Sequence, residues 1–344
     1  MEKKTNIRRN FIIIIALIIV VMVVVISKND VLKIYETFKG ADYIYLIIAL
    51  LVIFLYMLLE PLSLHLCIRA RNKEISFVDS MIISTTSFFF NAITPFSSGG
   101  QPFQVYAFHK KNVKASESTG ALLVNFIIYQ IVCAVICTFS LFFYYGEISQ
   151  KVQNIKVFIL IGYALVVANC LIFASIGLFK KVTDIIIKIA TFLKKFKLFR
   201  KINLVSLEDY CDNVRLGFKE IWAKPVNVLF VVITKLAAWI LFYTIPFFVL
   251  KAVHANISLE NLWYTVAVAS FTAVAISYIP TPGGVGGAEF AFTVLFIVFF
   301  AANSQAAATS SMLLWRFLTY YLPAIISFIC YLEFERRVRI RKCE

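Results

Sequence analysis

From Phe11 to Ile26 the chain has no polar residue, and five later stretches come close to that, at about 43–66, 117–144, 157–179, 226–250 and 307–332. Runs of this length cross the hydrocarbon core of a bilayer as helices, the one single-segment form whose backbone satisfies its own hydrogen bonds there. Hydrophobic residues make up 61% of the chain and charged residues 15%, too much apolar surface for a soluble domain to hide. The expected fold class is therefore an all-α polytopic membrane protein with about six full spans. Ser27-Lys28-Asn29-Asp30 lacks a small-residue cleavage pattern, so the first run reads as a retained span and not as a signal peptide.

Two further apolar segments are interrupted, and by the same pattern. TPFSSGGQPF begins at Thr94 and TPGGVGGAEF at Thr281, both of the form T-P-x-x-x-G-G-x-x-F, 187 residues apart. Proline and paired glycines break a helix, and broken helices at corresponding positions of two halves point to a transporter-type site near the bilayer midplane. The offset extends to the flanks. Adding 187 to 43–66 reaches 230–253, against the run at 226–250, and adding it to 117–144 reaches 304–331, against the last run.

Basic residues orient the segments by the positive-inside rule. Lys3, Lys4, Arg8 and Arg9 precede the first run. Arg69, Arg71 and Lys73 follow the second, His109-Lys110-Lys111 follows the first broken segment, and Arg336, Arg337, Arg339, Arg341 and Lys342 close the chain. All of these ends are expected in the cytoplasm, in a bacterial cell membrane. The first broken segment then enters from the inside, turns at Gly99-Gly100 and returns, while the second opens from the outside. The expected architecture is an inverted repeat of span, re-entrant hairpin and span: an N-terminal span and external loop (1–42), a first repeat (43–144), a span with a basic amphipathic segment (145–225), a second repeat (226–335) and a basic tail (336–344). The net charge of +15 speaks for anionic inner-leaflet lipids, above all along 180–201 with its eight lysines and arginines, and not for nucleic acid. The same basic segment is also compatible with a plain solvated connector.

Polar groups at membrane depth are costly and are functional candidates by default. Glu289 follows Gly286-Gly287 at the start of a half-helix, where an acid either binds a ligand or caps the helix. Arg316 lies in the last span. Its guanidinium suits a lipid phosphate in bidentate fashion, or an internal ion pair with Glu289 or Glu60. Glu60 sits near the inner end of the second span, and Lys235 lies about a third along the span 226–250. At the first turn Ser97, Ser98, Gln101 and Gln104 supply polar groups, and the amides of Gly99 and Gly100 are open to close approach by a phosphate. Thr94, Pro95, Pro280, Pro282, Gly283 and Gly284 read as hinges. Asn91, Asn125 and Gln130 fit interhelical hydrogen bonds better than ligation. Seven scattered cysteines and three isolated histidines form no metal spacing, and no cofactor motif or catalytic constellation stands out.

NAITPFSSGGQP (91–102) together with IPTPGGVGGAE (279–289) resembles the lysylphosphatidylglycerol synthase/flippase transmembrane family, over about residues 10–335. The resemblance implies the flippase-type membrane part of the multiple peptide resistance factors, without their cytoplasmic domain that transfers lysine from lysyl-tRNA. By position it points to Thr94, Pro95, Gly99, Gly100, Pro282, Gly283, Gly284, Gly286 and Glu289, and Gly287 lies among them. The expected function is transport of a phosphate-bearing lipid headgroup, either aminoacylated phosphatidylglycerol or a polyprenyl phosphate. Two rivals remain open. One is phosphatidylglycerol lysyltransfer, by this chain or by an enzyme it completes, which would bring tRNA in as a partner. The other is a scaffold recruiting a lipid enzyme through 180–224. Self-association is also left open.

Overall fold

A computed structural model describes residues 31–151, 155–196, 203–277, 279, 281–296, 299–300 and 305–340; the expected first span at 11–26 and the expected hinge Pro280 lie outside them. Among the described residues the elements are helical. They are α1 (Val31–Lys39), α2 (Tyr43–Arg69), α3 (Phe77–Ala92), α4 (Gly100–Lys110), α5 (Ala115–Lys151), α6 (Ile155–Leu178), α7 (Lys180–Leu193), α8 (Leu204–Trp222), α9 (Pro225–Ala252), α10 (Leu262–Ser277), α11 (Gly287–Phe296), α12 (Gln305–Arg316) and α13 (Leu322–Ile340). A π-helical turn, Phe317–Tyr321, joins the last two into one long rod. Five segments are long and apolar enough to cross a membrane: Tyr43–Arg69, Ala115–Ile148, Leu160–Leu178, Pro225–Ala252 and Ala307–Arg339.

Local sequence sets the helix starts. Asp42 accepts from the Ile44 amide at 2.9 Å and Ser76 from the Asp79 amide at 3.1 Å, capping donors that no preceding turn can satisfy. Two segments differ from expectation. The stretch before Asp42 is not simply a loop but carries α1, and the basic tail is helical as far as Ile340. The segment expected to be amphipathic forms α7 and α8, with Ile185, Ile189 and Phe192 exposed along one face of α7. Lys197, Arg200 and Lys201 lie outside the described residues.

Exposed apolar side chains recur on α2 at Ile44, Ile47, Leu51, Phe54, Leu55 and Leu58, and on α9 at Val226, Leu229, Phe230 and Ile233. This is helical spacing facing outward, the lipid side of a membrane helix. The opposite faces of these two helices pack on each other antiparallel. Contacts run from Asp42 N donating to Ala252 O (2.8 Å), through Tyr56 beside Trp239 and Glu60 beside Lys235, to Asn227 Nδ2 donating to Leu66 O. This central pair brings the two halves together.

Each half then adds a helical hairpin, α3–α4 in the first and α10–α11 in the second. At the open end of the first, Asp79 at the start of α3 pairs with Lys111 just past α4 (3.0 Å) and with Arg337 near the end of α13 (3.5 Å). The open end of the second lies at the other end of the α2–α9 pair. There Asn256 N donates to Phe299 O, and the His254 ring lies 3.0 Å from Gly40 O. The hairpins thus point their turns toward each other from opposite ends. They also exchange partners, since α3 packs on α13 of the second half and α10 on α5 of the first.

Three backbone bonds of the turns repeat at the same offset. Ser97 N donates to Thr94 O, Ser98 N to Pro95 O and Phe103 N to Gly99 O; 187 residues on, Gly284 N donates to Thr281 O, Val285 N to Pro282 O and Phe290 N to Gly286 O. Phe96 (φ 55°) and Ser97 (φ 50°) are left-handed, as are their counterparts Gly283 (58°) and Gly284 (67°). The first reversal therefore occurs at Phe96-Ser97 and not at Gly99-Gly100 as expected. Gly99 has ordinary helical dihedrals at the start of α4. Left-handed backbone costs a non-glycine residue about 1–2 kcal/mol. Ser97→Gly, which copies the second turn, is expected to raise stability by about 1 kcal/mol, read as a higher thermal midpoint in detergent; a lower midpoint would contradict this account of the turn.

The two tips meet. Pro95 and Pro282, equivalent at the same offset, form an isolated antiparallel β-bridge. Prolines lack an amide hydrogen, so such a pair occupies the non-hydrogen-bonded position of an antiparallel ladder, with Cα atoms about 4.5 Å apart. An antiparallel pairing of equivalent residues is what a two-fold axis through the contact produces.

Candidate functional site

Beside the joined tips lies a cavity of about 670 Å³ lined from both halves, within the range of small-molecule sites. Pro61 of α2, Pro246 of α9 and Pro323 of α13 all border the cavity, and each removes the amide that would bond back to the preceding turn. The π-helical turn Phe317–Tyr321 lies just before Pro323 and contributes Thr319 and Tyr320 to the wall; such turns frequently occur at functional sites.

Among the described residues the charged side chains on this wall are Glu60, Lys235 and Arg316. Lys235 donates to Glu60 Oε1 at 2.6 Å across the α2–α9 contact, with the lysine side chain 1% exposed and the glutamate 21%. Glu60 Oε2 is buried without a hydrogen-bond partner, an uncommon and costly state for a carboxylate oxygen. One turn away, Tyr56 and Trp239 pack edge to face at 5.7 Å, and Phe242, Tyr243 and Tyr129 close around Trp239 at 4.6–5.6 Å. The Trp239 indole nitrogen is also buried and unpartnered.

Arg316 is held on every side. Its Nε donates to Glu289 Oε1 at 2.7 Å and its Nη2 to Gly283 O at 3.0 Å, while the guanidinium lies 4.4 Å from the Tyr320 ring centre. Glu289 Oε2 accepts from Gly286 N at 2.7 Å. Glu289 is the third residue of α11, so this is the reach-back half of a capping box. The internal alternative weighed for each residue is present: the acid caps its helix and the cation forms the ion pair. Together they clamp the second turn to the last span. Tyr320 extends the clamp to the first half by donating to Ala92 O at 3.1 Å.

The expected site residues divide accordingly. Glu60, Arg316, Gln101, Ser97, Ser98 and Gly283 border the cavity; Glu289, Gly99, Gly100, Gly286 and Gly287 are not on its wall. The amides expected to meet a phosphate are already engaged, Gly99 N with Thr94 Oγ1 and Gly100 N with Asn91 Oδ1, both at 2.8 Å. What these two glycines supply is closeness. A Cβ on Gly99 would fall 2.6 Å from Thr94 Cγ2, and one on Gly100 2.5 Å from Asn91 Oδ1. Of the expected hinges, Gly283 and Gly284 have left-handed backbones, Pro95 and Pro282 bridge, and Thr94 O accepts the Ser97 amide.

Lys235 and the aromatic wall received too little weight in the sequence reading. Lys235, Trp239, Phe242, Tyr243 and Pro246 fall at i, i+4, i+7, i+8 and i+11, one face of a helix. A lysine sharing its face with aromatics and a proline in an apolar span was the available signal.

A model of the lysylphosphatidylglycerol synthase TM region matches residues 11–327. The chain belongs to that family. Among its relatives, an uncharacterized protein of Mycoplasma pneumoniae is 26% identical over 272 residues, 73% of this chain and 68% of the relative. A UPF0104 membrane protein of Archaeoglobus fulgidus is 26% identical over 302 residues, 83% of this chain and 85% of the relative. No solved structure matches this family member. The family model runs through both turns and ends within the last helix, α13.

Proposed function

We propose that this family member moves a phosphate-bearing lipid headgroup across the bacterial cytoplasmic membrane. The observation that carries the reading is the cavity of about 670 Å³, walled by both halves, with the tips of two oppositely opening hairpins joined beside it. Alternating access needs a central site whose two sides can be uncovered in turn, and two hairpins related by a two-fold axis supply a pair of equivalent gates. The headgroup occupies the cavity at Lys235 and Glu60 while the acyl chains stay in lipid. The clamp of Arg316 on Glu289 and Gly283 makes the second turn and the last span move as one body. Basic residues gather at the end that holds Arg69, Lys111 and Arg337, and the positive-inside rule turns that end toward the cytoplasm.

In proteoliposomes carrying a fluorescent short-chain phospholipid, the protein is expected to speed exchange between leaflets at least tenfold over protein-free vesicles. Ser84→Phe adds a ring to the cavity wall, and is expected to remove most of that gain. Equal rates with and without protein would refute transport. If the chain is instead the membrane part of a lysyltransferase, as the family description also permits, aminoacylated lipid would accumulate on supplying lysyl-tRNA to vesicles that show no exchange.

A further inference from the structure

The charges around the cavity sum to zero. On the wall Glu60 balances Lys235 at 2.6 Å, and Arg316 is balanced at 2.7 Å by Glu289, which lies behind the wall; among the described residues no other charged side chain than Glu60, Lys235 and Arg316 lines the wall. The sum is unchanged if a proton passes from Lys235 to Glu60. A net charge brought into such a space loses its hydration without gaining a counter-charge, whereas a neutral ligand carrying one charge of each sign can exchange partners with an existing pair.

The two ion pairs are not equally able to exchange. Arg316 is tied to Glu289, to Gly283 O and to the Tyr320 ring, and Glu289 to the Gly286 amide. Lys235 donates one hydrogen bond, to Glu60 Oε1, where an ammonium has three donors, and Glu60 Oε2 has no partner. Tyr56 lies one helical turn from Glu60 on α2 and Trp239 one turn from Lys235 on α9, and Phe242 packs on both rings, 4.7 Å from Tyr56 and 5.4 Å from Trp239. A carboxylate edge beside aromatic faces is the chemistry that holds an ammonium group.

The geometry points to a net-neutral zwitterionic headgroup as the ligand, with a single phosphodiester on Lys235 and a single ammonium between Glu60 and the Tyr56–Trp239–Phe242 wall. Phosphatidylethanolamine and a phosphatidylglycerol esterified with a one-amine amino acid share this chemistry. Phosphatidylglycerol and polyprenyl phosphates, which are anionic, do not, nor does lysylphosphatidylglycerol with two ammonium groups. The inference rests on the cavity being the headgroup site, but not on whether the headgroup is moved.

Equilibrium binding to the full chain in detergent, read by quenching of tryptophan fluorescence, tests it without any transport step. The probes are dihexanoyl forms of phosphatidylethanolamine, alanyl-phosphatidylglycerol, phosphatidylglycerol and lysylphosphatidylglycerol. Wild type is expected to bind at least one of the first two tenfold or more tighter than either of the last two, and which of them binds identifies the source. Glu60→Gln leaves the wall one charge positive and is expected to shift preference at least tenfold toward phosphatidylglycerol. Lys235→Met leaves it one charge negative and should shift preference toward lysylphosphatidylglycerol. The double variant removes both charges at once, guards against a folding failure of either single variant, and should bind all four probes weakly with no charge preference. Wild type favouring a charged probe, or single variants that fold and keep the wild-type order, would overturn the inference. Strong zwitterion binding with no leaflet exchange would leave it standing and remove the transport reading alone.

Discussion

Arg316→Ala is expected to cost about 3–5 kcal/mol of stability, the usual price of leaving one member of a buried ion pair without its partner. The Glu289 and Arg316 side chains are 9% and 6% exposed, so little water reaches the carboxylate that remains. The loss spreads beyond the pair. Without the guanidinium, Gly283 O loses its donor and the Tyr320 ring loses the cation above it, and Tyr320 is the residue that ties the last span to Ala92 at the first turn. Replacing both partners, as in Glu289→Gln with Arg316→Met, should recover more than half of the loss, because no uncompensated charge is then buried. Thermal unfolding in detergent decides between these outcomes. A single variant within about 1 kcal/mol of wild type, on the scale of an exposed pair, would mean that the clamp does not hold the turn.

Much of the fold was legible because membrane insertion leaves few options. Among the described residues each apolar run long enough to span is a helix, and the breaks at Pro95 and Pro282 are turns because proline and left-handed backbone cannot continue one. The offset of 187 carried down to individual hydrogen bonds, since a repeat preserves backbone geometry even where side chains diverge, as Phe96-Ser97 and Gly283-Gly284 do. The position of the first reversal was misread from the glycines. Glycine marks either a left-handed dihedral or a close approach, and at Gly99 and Gly100 it is the approach of Thr94 and Asn91 that matters.

The site was less legible, for a different reason. A repeat offset says which residues are equivalent, not which face of α2 meets which face of α9. Lys235 stands opposite Glu60 only in one antiparallel register, and that register is set by packing along the whole contact from Asp42 to Asn227. Polar groups likewise advertise themselves in an apolar span without revealing their partners. Arg316 and Glu289 stood out as candidates for a ligand, and they satisfy each other. Lys235, about a third along its span, is one of the most buried side chains.

The central claim is that the two hairpin tips must separate for a headgroup to pass. The β-bridge puts the Cα atoms of Pro95 and Pro282 at about 4.5 Å, within the span a disulfide accepts. Pro95→Cys with Pro282→Cys is therefore expected to cross-link under mild oxidation, where neither single variant does. In proteoliposomes the cross-linked protein should lose at least nine-tenths of its leaflet exchange and regain it on reduction. Exchange at the wild-type rate with the tips covalently joined would contradict the account.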